Sequence, residues 1–209
     1  MNDLVLILRY RKAVTYGFHV LLGALETHET TTAYEVRFAE SAEATIAAIK
    51  DALGSARRVL VLWSFYSPDA AALGEEVTAI KAEAPGAVHV AGGVHATAEP
   101  AQTLDAGWDV AAIGEGETTL LRLVDTAGAH EGVPGLAYRD AAGTVVKTGS
   151  PERLPLDAFR GFSLRWHRFN ALEITRGCAF SCAYYPQLHS EYQRTIGSTI
   201  IMPLVSSQG

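Results

Sequence analysis

Cys178 and Cys182 are the only two cysteines in the chain, held in the run Glu173-Ile-Thr-Arg-Gly-Cys-Ala-Phe-Ser-Cys-Ala-Tyr-Tyr185. Thiolates this close together can share one metal centre, because sulfur is a good donor for zinc and for iron–sulfur clusters. They can equally be two small buried apolar side chains, a common role for free cysteine. A zinc site would need a second Cys/His pair at finger spacing, and none stands there; His189 is the histidine nearest Cys182 on its C-terminal side. Spacing alone leaves these readings open.

The flanking residues carry more information. Glu-Ile-Thr-Arg-Gly before Cys178, and aromatic Tyr184 after Cys182, resemble the cluster-binding signature of the radical SAM enzymes. That signature has three cysteines spaced C-x3-C-x2-C, and Tyr185 stands in the third position. The resemblance implies a [4Fe-4S] cluster whose fourth iron binds S-adenosylmethionine (SAM), so that cleavage of SAM yields a radical. Cys178 and Cys182 are the metal-ligand candidates it supplies. Two thiolates and a phenol hold such a cluster poorly, and the chain stops at Gly209, with no Gly-Gly-Glu-type SAM motif after Leu188. Residues 171–209 therefore read as the truncated start of a radical SAM domain. A damaged gene, or a barrel completed by a separate chain, would each produce this pattern.

What could position such a segment is legible upstream. From Leu4 to about Ala127, short apolar runs alternate with amphipathic stretches. Strands are expected at Leu4–Arg9, Tyr34–Phe38, Val59–Trp63, Val88–Ala91 and Val110–Ile113. Helices are expected at Gly17–Thr27, Ala42–Leu53, Asp69–Ala84, Glu99–Ala106 and Glu117–Thr126. Strict alternation implies right-handed crossovers and an α/β, Rossmann-like (flavodoxin-like), doubly wound parallel sheet of five strands over residues 1–130. Gly135–Arg139 and Thr144–Thr148, with Gly143 at the turn, read as a β-hairpin. Ser150–Arg160, carrying Pro151 and Pro155, reads as a linker, so that hairpin and linker occupy 131–170. Ala171–Thr175 reads as the first strand of a new domain, and Ile200–Val205 as an apolar run with no sheet to join.

In open parallel sheets, ligands sit beyond the carboxyl ends of the strands. Those ends here carry Tyr10–Gly17, Ser64–Ser67, Gly92–His95 and Gly114–Glu117. Neither G-x-G-x-x-G nor a Walker motif is present. Ser64-x-Tyr66, followed by Gly92-Gly93-x-His95 and Gly114-Glu115-Gly116-Glu117, resembles the cobalamin-binding domain that precedes many radical SAM domains. In that family a Ser-x-Leu is followed at similar spacing by Gly-Gly; here Tyr66 replaces the leucine and residues 67 to 91 intervene. The resemblance implies that the nucleotide tail of cobalamin enters a slot beside Ser64 and passes Gly92 and Gly93, where a β-carbon would fill the slot. It places Ser64, Tyr66, Gly92, Gly93, His95, Gly114, Glu115, Gly116 and Glu117 among the cofactor-binding candidates. The Asp-x-His-x-x-Gly element that gives cobalt an imidazole is missing. Intact relatives carry out radical methyl transfer or related radical chemistry. The blander readings are a strand-to-loop turn at Gly92-Gly93, a solvated loop histidine at His95, and acidic residues 115 and 117 that merely complement a helix dipole.

Composition bounds the rest. The 209 residues are 48% hydrophobic and 19% charged, with net charge −6. No basic stripe exists to neutralise a nucleic-acid backbone. No apolar run approaches the ~20 residues that span a bilayer, and the start lacks a signal-peptide n-region. The expected setting is cytoplasmic, with a corrinoid small molecule as partner, no nucleic acid and no membrane. A corrinoid-free Rossmann-like interaction domain is the alternative reading.

Overall fold

The computed structural model describes residues 2–169. The expected strand at Ala171–Thr175, the Cys178, Cys182 and Tyr185 signature and the run at 200–205 lie outside the described residues.

Within them, seven strands form one sheet: β1 (Asn2–Arg9), β2 (Tyr34–Ala39), β3 (Ala56–Ser64), β4 (Val88–Gly92), β5 (Val110–Ala112), β6 (Leu136–Arg139) and β7 (Val145–Lys147). Their order is β2-β1-β3-β4-β5-β6-β7, and the first five are mutually parallel. This is the flavodoxin-like 2-1-3-4-5 order, with its switch point between β1 and β3. The helices are α1 (Thr15–Thr27), α2 (Ala42–Leu53), α3 (Ala70–Glu83), α4 (Val94–Ala98), α5 (Pro100–Asp105) and α6 (Gly116–Asp125).

Period-two alternation sorts the strand side chains into two layers. Val5, Ile7, Val59, Val61, Trp63 and Ala91 pack against α2, α3 and α5. Leu4, Leu6, Leu8, Leu60, Leu62 and Val90 pack against α1 and α6. Leu4, Leu6, Ile7 and Leu60 are fully buried. Each such side chain contributes about 1.5–3 kcal/mol of transfer free energy. Local signals set the helix ends: Ser41 accepts a 3.1 Å hydrogen bond from the Ala44 N–H at the start of α2, and Gly54 closes it.

Three features depart from the sequence reading. The hairpin is real, but it continues the same sheet: β6 pairs antiparallel with β5, and β7 with β6. Without it β5 would present a row of unpaired backbone groups, so the sheet has seven strands rather than five. A short helix, α4, occupies residues read as a loop, and Glu99 separates it from α5, which Pro100 opens. The linker is docked rather than loose, with Phe159 packed on Val20 and Ala24 of α1.

Candidate functional site

The carboxyl ends of β3 and β4 lie side by side, with Ser64 and Gly92 as register partners. Leu60 and Leu62 face α1, so Ser64 does too; Gly92 shares that face with Val90. A β-carbon added at Gly92 would meet only the Trp63 carbonyl oxygen, at 3.5 Å. One added at Gly17, in the first turn of α1, would meet only Ser64 Oγ, at 3.9 Å. Ser64 thus neighbours Gly92 along the sheet edge and Gly17 across from α1, and none of the three projects more than a hydroxyl. Three exposed apolar side chains stand on the segments around it: Tyr16 at the start of α1, Tyr66 beyond β3 and Val94 opening α4.

Gly93 has a different reason to be glycine. Its φ is +95°, a left-handed value that side-chain-bearing residues rarely adopt, and a β-carbon would stand 3.0 Å from the Phe65 carbonyl oxygen. The close approach of its own chain, with Ser64 Oγ at 3.3 Å, already excludes a larger residue there. Thr97 Oγ1 donates to the Gly93 carbonyl and accepts from the Gly114 N–H, each at 3.0 Å, which ties the two glycine turns together.

The remaining candidates distribute around this centre. His95 is buried in α4, its ring 5.6 Å from that of Phe65 and its Nδ1 3.1 Å from Ser67 Oγ. Phe65 belongs to the opposite layer, with Trp63 and Trp108, so His95 packs behind the edge and away from the slot. Gly116 brings α6 against α1, where its β-carbon would come 3.3 Å from Leu21 Cδ2. Glu117 is buried in the first turn of α6, and Glu115 lies 3.9 Å from Arg153 Nε. Both acidic residues thus sit where the helix dipole favours negative charge.

On the β1 side, Tyr10 hydrogen-bonds His19 Nε2 through its hydroxyl and lies edge-on to Phe38. Burial raises the Tyr10 pKa; Arg168, whose guanidinium carbon stands 5.1 Å from the ring centroid, pulls the other way. Arg9 is buried and its Nε donates to Glu76 Oε1 at 2.6 Å, binding the end of β1 to α3 on the face away from the slot. Among the described residues no group of three or more His, Cys, Asp or Glu side chains could hold a metal ion.

A sequence model for the B12 binding domain matches residues 4–124. The chain belongs to the B12-binding domain family. No curated protein sequence matches it. Two solved structures with a similar fold are of the cobalamin-dependent S-adenosylmethionine radical enzyme OxsB. One holds aqua-cobalamin (TM-score 0.63, 16% identity, 86% of this chain and 27% of that one). The other holds aqua-cobalamin and S-adenosylmethionine (TM-score 0.62, 17% identity, 87% and 27%). This chain thus spans 27% of the length of those proteins.

The family match covers residues 17, 64 and 92; the sequence placed Gly17 at the end of the edge segment Tyr10–Gly17 without singling it out. Gly17 opens an amphipathic helix, where glycine weakens the helix and asks for a packing reason. That was the available signal.

Proposed function

We propose that the slot between α1 and the ends of β3 and β4 takes the nucleotide tail of a cobalamin, and that the chain is the cobalamin-binding module of a cobalamin-dependent radical SAM protein. Convergence of Ser64, Gly92 and Gly17 on one opening carries the reading. The exposed rings of Tyr16 and Tyr66, with Val94, offer apolar surface for the corrin edge. Bound there, cobalamin would supply its cobalt chemistry; the chain would hold the tail and shield the lower face. In this reading residues 1–130 carry the binding edge, the hairpin completes their sheet, and 171–209 begin the radical SAM domain.

His19 is engaged by Tyr10, and His95 is turned to the other layer. Neither histidine is offered to cobalt from the slot, so the tail and corrin contacts hold the cofactor. The donor set for an iron–sulfur cluster does not fit: Cys178 and Cys182 are two thiolates where three are needed, with Tyr185 in the third place. No radical step is assigned to these residues alone. Among the described residues no helix is long and apolar enough to cross a membrane.

The test is incubation with hydroxocobalamin, followed by gel filtration monitored in the visible. Red colour should elute with the protein, and Gly92→Val should remove it while leaving the far-UV circular dichroism unchanged. Equal retention by wild type and variant would place the pocket elsewhere. A colourless wild type would favour the corrinoid-free interaction domain.

A further inference from the structure

The residues after the hairpin are not a slack connection. Phe159 packs on Val20 and Ala24, and the backbone then crosses α1 directly over Gly23. A β-carbon at Gly23 would stand 1.9 Å from the Arg160 carbonyl oxygen and 2.7 Å from that of Phe162. Both are backbone atoms that no side-chain rotation can clear. Glycine in mid-helix weakens the helix, so its presence here answers to this crossing.

One turn further along α1, a single carboxylate oxygen of Glu26 collects the chain. Glu26 Oε2 accepts from Ser163 Oγ at 2.7 Å, from the Leu164 N–H at 2.8 Å and from the Arg165 N–H at 3.3 Å. These hydrogen bonds, with Arg160 at 3.7 Å, outweigh partial burial and hold the Glu26 carboxyl below its ordinary range. The segment then reverses. Ser163 and Arg168 exchange both backbone hydrogen bonds as an antiparallel bridge, around a turn in which His167 has φ +51°. Because α1 runs from the carboxyl edge of the sheet toward its amino edge, the chain descends as far as Ser163 and ascends again after the turn. Arg168 then reaches Phe38 and Tyr10 at the carboxyl ends of β2 and β1, its guanidinium carbon 4.4 and 5.1 Å from their ring centroids.

We propose that Gly23 and Glu26 are positioning residues: they clasp the strap 159–168 to α1 and turn it so that Arg168 reaches back to the carboxyl edge of the sheet. Gly23 sets how closely the strap can approach, and Glu26 fixes where it turns. Neither touches the slot, so loss of the clasp frees the strap and leaves the edge intact.

Limited trypsinolysis of the full-length protein reads the clasp directly, since Arg160, Arg165 and Arg168 all lie in it. Gly23→Ala and Glu26→Ala should each speed cleavage at these sites by roughly tenfold or more, through local opening. Gly161→Ala is the matched control, because a β-carbon there meets nothing within 4 Å, and its cleavage should equal that of the wild type. Unchanged cleavage in Glu26→Ala, or equal acceleration in Gly161→Ala, would overturn the proposal; should Gly23→Ala fail to fold, Glu26→Ala decides. A second readout rests on the cobalamin reading. A dye on Phe169→Cys, with Cys178 and Cys182 changed to serine, should be quenched by bound hydroxocobalamin and released by Glu26→Ala at equal cofactor occupancy. Equal quenching in both would count against the clasp. No cofactor uptake by the wild type would count against the cobalamin reading alone, while the trypsin result still decides the clasp.

Discussion

Ser64 on β3 and Gly92 on β4 are direct register partners, and both side-chain positions open toward α1. One carries a hydroxymethyl group and the other a hydrogen, so two adjacent strands end on small groups on the α1 side of the sheet. Everything proposed for the cofactor depends on this pair staying small.

Gly17→Leu probes the helix across from that pair. Its β-carbon would meet only Ser64 Oγ, at an ordinary contact distance of 3.9 Å, and a far-UV circular dichroism spectrum like that of wild type would show that the longer side chain is accommodated. Replacing glycine in a helix should also raise stability by about 0.5–1 kcal/mol. Hydroxocobalamin uptake should nevertheless fall sharply. A stabilised protein that still binds the corrinoid as wild type does would show that the tail runs elsewhere.

The lower face of cobalt gives a spectroscopic prediction. With His19 held by Tyr10 and His95 packed on Phe65, reduced cob(II)alamin bound to this protein should show no protein-imidazole nitrogen splitting in its electron paramagnetic resonance spectrum. Splitting that disappears in His19→Phe or His95→Phe would refute the assignment.

His89 makes the fold acid-sensitive. It is fully buried in β4, its Nδ1 3.2 Å from Trp63 Nε1, and burial lowers its pKa from 6.5 to about 4, against the opposing pull of Asp109. The unfolded chain thus binds a proton that the folded one refuses. The contribution is fully present above pH 6.5 and is lost as pH falls toward about 4. The loss runs at up to about 1.4 kcal/mol per pH unit and totals about 3 kcal/mol. Urea melts across this window should show the decline, and His89→Gln, which can still accept from Trp63, should flatten it. Parallel declines in wild type and variant would assign the sensitivity to other groups.

How much could be read beforehand depended on the range of the interaction. The uninterrupted apolar run of β3 and the Ser41 and Gly54 boundaries of α2 are local facts, and the structure reproduces them. The hairpin was local as well, but its pairing with β5 was not, because nothing within residues 135–148 names the strand it joins. The two neighbouring glycines look alike as letters, yet Gly92 borders open space and Gly93 sits in a left-handed turn against Phe65. Only three dimensions separate those roles. His95 reads as a loop residue until the turn at Gly93 starts α4 and buries it. The clasp was the least accessible feature, since Glu26 and Ser163 are 137 positions apart and each looks like an ordinary polar surface residue.

The two outermost strands have a consequence for the molecule in a crowded solution. β7 is three residues long and ends in Lys147, while β2 carries Glu35 and Arg37 joined to Asp51 in an ionic lattice. A stranger's strand seeking to extend the ribbon at one margin would find too few partners, and at the other would have to prise apart bound charges. Self-templated stacking of copies is thereby discouraged at both margins.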